Sequence, residues 1–100
     1  MEGIFDRTAL LLGDEAMERL RKSHVAVFGV GGVGGYIVEA LARSGIGEIT
    51  VVDNDTVSPS NINRQIIATS SSIGMKKTDC ARERILSINR ECIVHTYDTF

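Results

Sequence analysis

The chain has 100 residues, 43% hydrophobic and 24% charged, with a net charge of −2; this suits one small globular domain with a modest core and excludes a disordered polymer. No run of about 18 apolar residues is present, so no membrane-spanning helix is expected. Met1–Asp6 lacks a basic start followed by an apolar core, so no signal peptide is read, and a reducing cytoplasm is the expected setting. The charge is uneven, with five basic and nine acidic side chains in residues 1–62 and six and four in residues 63–100. That bias is too mild to mark a nucleic-acid surface by itself.

Taken in chain order, Thr8–Leu12 is apolar and predicts a short helix broken at Gly13. Asp14 then reads as the N-cap of a second helix, with acids early and Arg19, Arg21 and Lys22 late, as the helix dipole favours. Val25–Phe28 is an apolar run that predicts a buried parallel strand. From Val33, apolar residues recur at helical spacing through Ile37, Val38, Leu41 and Ala42, and Ser44-Gly45 supplies the stop. Ile49–Val52 is β-branched and predicts a second strand. Residues 53–72 are polar and irregular, a length of loop that usually carries function. Lys76–Asn89 predicts a further helix with Ala81, Ile85 and Ile88 on one stripe, and Ile93–Tyr97 a third strand at the end of the chain. The expected fold is α/β, the N-terminal half of a Rossmann-like doubly wound parallel sheet, with right-handed crossovers. Residues 1–24 form a helical lead-in and residues 25–100 a nucleotide-binding unit that reads as truncated after its third strand.

Gly29, Gly31 and Gly34 fit G-x-G-x-x-G between a strand and a helix. Glycine permits the tight turn and lets backbone N–H groups reach phosphate oxygens, and the helix N-terminus adds positive partial charge. Asp53, at the end of the second strand, is placed to accept hydrogen bonds from ribose hydroxyls. A dinucleotide or ATP could both use this opening. The residues beyond Asp53 choose between them: Asn61, Arg64, Gln65 and then Lys76 and Lys77 supply donors and cations suited to phosphoryl or nucleotidyl transfer. A nicotinamide-binding domain has no use for them.

The run G-x-G-G-V-G, then D-x-D-x-V-x-x-S-N-x-N-R-Q, then G-x-x-K resembles the ThiF/MoeB-like adenylating family, which includes the ubiquitin-activating enzymes. Within it, Phe5–Leu20 and Glu39–Ile66 most resemble the tRNA threonylcarbamoyladenosine dehydratases. The resemblance implies ATP-dependent adenylation of a carboxylate in tRNA, with adenylation of the C-terminal glycine of a small sulfur-carrier protein as the alternative. It also implies Gly31, Gly32 and Gly34 along the phosphates, Asp53 at the ribose, Asn61 and Arg64 near the phosphates, Gln65 in support, and Lys77 rather than Lys76 as the phosphate lysine. Mg²⁺ is the implied companion of ATP, although no metal-positioning aspartate is found after Lys77. A homodimer is implied by the family's N-R-Q arginine, which reaches into the partner subunit's site.

Several residues also have plainer readings. Asp55 is read either as a ligand contact or as a turn cap bonding its own backbone. Arg64 and Lys77 could each sit on a solvated surface. Cys80 and Cys92 have neither CxxC nor zinc-ligand spacing and read as small buried residues. His24 and His95 have no evident partners and read as structural, so no metal ligand is assigned. Tyr36 reads as an outer-face helix residue, and Arg82, Arg84 and Arg90, alternating with Glu83 and Glu91, as a solvated face. Relatives carry I-N-P-x-C where this chain has Ile88-Asn89-Arg90-Glu91-Cys92, so the turn into the third strand is expected to be looser.

Overall fold

A computed structural model describes residues 3–99. The elements run α1 (Asp6–Leu12), α2 (Asp14–Lys22), β1 (His24–Phe28), α3 (Gly32–Ser44), β2 (Glu48–Asp53), a 3₁₀ turn (Pro59–Asn61), α4 (Lys77–Ile88) and β3 (Ile93–Asp98). The strands form one parallel sheet in the order β1-β2-β3. Two right-handed crossovers stepping the same way leave both helices on one face of the sheet. Accordingly α3 packs against β1, α4 against β2 and β3, and the two helices against each other.

The core lies between that face and the helices. Ile49 and Val51 on β2, Val38 and Ala42 on α3, and Ala81 and Ile85 on α4 are fully buried, each larger aliphatic contributing about 1.5–3 kcal/mol. Gly45 ends α3 in a left-handed conformation, its N–H donating to the Ala42 carbonyl, as Ser44-Gly45 predicts.

Three expectations need correction. β1 is not buried on both sides: only Val27 is enclosed, and Phe28 is 79% exposed, because both helices sit on the other face and the strand alternates. Asp14 does not cap α2. Gly13, at φ 86°, holds the cap position, and no side chain bonds the first N–H groups; the reversal between α1 and α2 needs positive φ there, which glycine supplies. Arg82 and Arg84 are not a solvated face: Arg82 donates to the Val94 carbonyl, and Arg84 pairs with Glu39 of α3 at 2.5 Å. The turn before β3, which lacks proline, is joined by hydrogen bonds. Asn89 is buried, its Oδ1 accepts from the Glu91 N–H at 3.2 Å, and its carbonyl accepts from Cys92.

The Glu39–Arg84 pair ties the two crossover helices. Arg84 hydrogen bonding, then its charge and that of Arg43, holds the Glu39 carboxyl below the usual range against the opposing effect of burial. A depressed folded-state pKa contributes stability that is present above the unfolded value, about 4.3, and is lost as pH falls through the folded one. Glu39→Gln should therefore destabilise the chain by about 1 kcal/mol at pH 7, the upper end for partly exposed pairs. Its loss of urea stability between pH 6 and pH 3 should be shallower than the unaltered chain's. Parallel acid limbs would show that the pair does not contribute.

Candidate functional site

The site is built at the carboxyl ends of β1 and β2, where open α/β sheets hold ligands. Gly29 leaves β1 at φ 89°, and its N–H donates to the Val52 carbonyl at 2.7 Å, stitching the loop to the end of β2. Val30 then turns inward and is fully buried. Its N–H donates to Asp53 Oδ2 at 2.9 Å, while Asp53 Oδ1 accepts from the Asp55 N–H at 2.8 Å. Asp53 thus holds two loops in register, each carboxylate oxygen keeping a further lone pair for a ligand hydroxyl.

Gly31 is the extended N-cap of α3, and Gly32 begins the helix at φ 49°. No side chain caps the helix and no acid lies in its first turn. The helix therefore keeps its first N–H groups and the positive end of its dipole for an anion. Gly34 is the closest approach: a Cβ there would lie 1.7 Å from the Gly29 carbonyl oxygen. Beside Gly31 stands the Gln65 amide, whose Oε1 would lie 3.0 Å from a Gly31 Cβ and is buried without a partner. A half-turn of the amide exchanges acceptor for donor, so Gln65 can meet a phosphate oxygen or a ligand N–H. The motif alone implies only a supporting role for it; burial against the loop is the signal that the sequence lacks.

The long excursion after β2 returns to its start. Thr56 pairs antiparallel with Lys76, the Val57 N–H donates to the Met75 carbonyl, and the Lys77 N–H donates to the Asp55 carbonyl at 2.9 Å. This carries the start of α4 to the end of β2. The Lys77 side chain is 8% exposed, with Nζ 3.7 Å from Asp55 Oδ2. Lys76 points elsewhere: it pairs with Asp98 at 3.1 Å, and that carboxylate holds its ammonium above the usual range. A cavity of about 330 Å³, lined by Phe28, Gly29, Val52, Asp53 and Asp55 among others, opens over these strand ends.

The fold thus gathers Gly29, Gly31, Gly32, Gly34, Asp53, Asp55, Gln65 and Lys77. Asn61 and Arg64 are engaged within their own loop. Asn61 is buried, and its Oδ1 accepts from the Ser58 N–H and hydroxyl, closing the 3₁₀ turn. Arg64 is exposed and donates to the Ser60 carbonyl at 2.7 Å and to Asn63 Oδ1 at 3.1 Å. Cys80 and Cys92 are buried, and burial pushes both thiols up, which fits packing rather than nucleophilic roles. His24 and His95, however, do have partners. Both face Glu48 on the open side of the sheet, a neighbourhood hidden from sequence because it joins three strands.

The ThiF family profile matches residues 5–100. The chain belongs to the ThiF family. Among its relatives is the Haemophilus influenzae tRNA threonylcarbamoyladenosine dehydratase, 51% identical over 86% of this chain and 33% of that protein. A probable molybdopterin-synthase adenylyltransferase of Porphyra purpurea is 44% identical over 85% of this chain and 22% of its own length. The structure resembles that of Escherichia coli tRNA N6-threonylcarbamoyladenosine dehydratase in complex with ATP, with TM-score 0.93 and 46% identity over 96% of this chain and 40% of that one. This ThiF-family chain spans about a third of the length of the dehydratase relative, and its sheet is the Rossmann-like half-sheet expected from sequence. No helix among the described residues is long and apolar enough to cross a membrane.

Proposed function

We propose that the chain is the nucleotide-binding portion of an ATP-dependent enzyme that activates the carboxylate of threonylcarbamoyladenosine in tRNA, leading to its cyclic dehydrated form. The observation that carries this is the joining of the glycine loop, Asp53, Asp55 and the buried Lys77 by direct hydrogen bonds and an ion pair at one set of strand ends. That arrangement fits a triphosphate: uncapped helix N–H groups for the phosphates, a carboxylate for the ribose and a positioned ammonium. A nicotinamide cofactor would leave Lys77 without a task.

A carboxylate is a poor electrophile because its charge repels nucleophiles and it lacks a good leaving group. Attack of its oxygen on the α-phosphorus of ATP forms an acyl adenylate and releases pyrophosphate. The barrier is largely electrostatic, so fixed donors and cations lower it. In this reading Gly31, Gly32 and Gly34 cradle phosphates, Asp53 orients the ribose, Gln65 contributes its buried amide, and Lys77 meets the charge on the phosphates. Mg²⁺ would arrive with ATP, held mainly by the phosphates and water with at most one or two carboxylates, and would neutralise phosphate charge. The grouping of three metal-ligating side chains found among the described residues is at the other end of the sheet, and no residue of this chain is assigned to the nucleotide's ion.

The second reading, adenylation of a sulfur-carrier protein, rests on the adenylyltransferase relative; the greater identity to the dehydratase favours tRNA. A cytoplasmic setting and a homodimer accompany the proposal. Arg64, exposed and away from the loop in its bonding, is assigned to the partner subunit's site. In the full-length enzyme Arg64→Ala should lower adenylation about 100-fold, the loss typical of one charge-stabilising donor. Mixing that variant with Asp53→Ala should restore activity, since one site of each mixed dimer is intact. No restoration would place Arg64 in its own site. Titration calorimetry of the 100-residue chain should show ATP binding and no NAD binding; the reverse would overturn the adenylating reading.

A further inference from the structure

We propose that His24, Glu48 and His95 form a binding site for a divalent transition metal, Zn²⁺ by its ligand set, on the open face of the sheet. The strand register creates it. Glu48 pairs with His24 across β1 and β2, and Thr50 with His95 across β2 and β3. Side chains two apart on a strand share a face, so both imidazoles and the carboxylate project from the face the helices leave uncovered. The site is near the amino ends of β1 and β2, whereas the glycine loop and Asp53 are at the carboxyl ends, about 17 Å away along β2 at the usual strand rise.

The three ligand atoms lie within 4.8 Å of one another. Glu48 Oε2 is 2.6 Å from His95 Nε2 and 3.7 Å from His24 Nδ1. A tetrahedral zinc ion with bonds of about 2.0–2.1 Å needs ligand atoms roughly 3.3 Å apart. Small rotations of partly exposed side chains bridge that difference. The two rings are tilted by 44° with centroids 5.7 Å apart, an arrangement that leaves room between them.

His24 also has the outer partner that zinc-binding imidazoles usually have. Its Nε2 lies 2.6 Å from Thr50 Oγ1, so the hydroxyl engages the far ring nitrogen and leaves Nδ1 toward Glu48. Two imidazole nitrogens and one carboxylate oxygen suit Zn²⁺ or Co²⁺ and leave a fourth position for water. Mg²⁺ and Ca²⁺ prefer oxygen donors throughout. With side-chain exposures of 48%, 34% and 42% for His24, Glu48 and His95, an ion can enter directly from solvent.

The test is titration of the 100-residue chain with ZnCl₂ by calorimetry and with CoCl₂ by visible absorption. The expected result is one ion per chain, with the intense d–d bands of four-coordinate Co²⁺ displaced by Zn²⁺. The His24→Ala/His95→Ala double variant should abolish both signals, and Thr50→Val should weaken Zn²⁺ binding about tenfold, in the range of second-shell losses. Absence of a Co²⁺ spectrum with the unaltered chain would overturn the proposal and leave a simple histidine–carboxylate hydrogen bond. Zn²⁺ binding that survives in the double variant would overturn it too, moving the ion elsewhere.

Discussion

Gly34→Ala is expected to destabilise the chain by about 3 kcal/mol or more, at the upper end of single-substitution effects, and to eliminate ATP binding. A Cβ at this position would lie 1.7 Å from the Gly29 carbonyl oxygen, where an ordinary contact needs roughly twice that separation. Neither side can retreat. Gly29 is fixed by its bond to the Val52 carbonyl, and Gly34 is in the first turn of α3, whose Val38 and Ala42 are fully buried. In a domain of this size the loss should lower Tm by roughly 12 °C or more, taking about 4 °C per kcal/mol. Gly74→Ala is the control: Gly74 also has positive φ, at 88°, but a Cβ there meets nothing within 4 Å. Its cost should be about 1–2 kcal/mol of backbone strain. Gly31→Ala separates fold from function. Its Cβ would press on the Gln65 amide at 3.0 Å, a side chain that can move, so Tm should fall little while ATP affinity drops. Equal melting temperatures for Gly34→Ala and Gly74→Ala would show that the loop can open without penalty.

The elements that sequence defines well are those whose signal is local. The glycine stop at Gly45, the β-branched run of β2 and the helical stripe through Ala81 and Ile85 all lie where pattern and propensity place them. The glycine loop and Asp53 are legible for the same reason: the motif is a local strand–turn–helix, and the acid marks the end of the next strand. What sequence does not supply depends on which faces meet. Phe28 looks like a core residue in a run of apolar neighbours, yet is 79% exposed, because strand order decides which face the helices cover. Arg84 looks like a solvated charge until the crossover brings Glu39 alongside. Asn61 stands in a run that resembles a phosphate-binding loop, and its Oδ1 is bonded to Ser58; the sequence identifies an amide there but not which neighbour claims it. Lys76 and Lys77 are adjacent and chemically identical. The antiparallel Thr56–Lys76 pairing and the start of α4 separate them, sending one to Asp98 and burying the other beside Asp55.

Lys77→Met should weaken ATP binding by about 10–100-fold while leaving Tm nearly unchanged. A charge-assisted hydrogen bond contributes about 1.5–3 kcal/mol, and each 1.4 kcal/mol is about a factor of ten in affinity. The side chain is 8% exposed, so its aliphatic stem is packed and methionine keeps that packing. Removing the ammonium leaves Asp55 unpaired, but Asp55 is 67% exposed and water replaces the lost partner. The 3.7 Å separation is long for an ion pair, so the ammonium is held near the carboxylate without being committed to it, and a triphosphate with greater charge can draw it away. Lys77→Arg tests geometry as well as charge. A planar guanidinium does not fit an enclosure shaped for a slender stem, so charge alone should restore only part of the affinity. Adenosine, which lacks phosphates, should bind the unaltered chain and Lys77→Met alike. If Lys77→Met weakened adenosine as much as ATP, the lysine would be shaping the pocket rather than meeting phosphate, and the adenylating assignment would lose its cation.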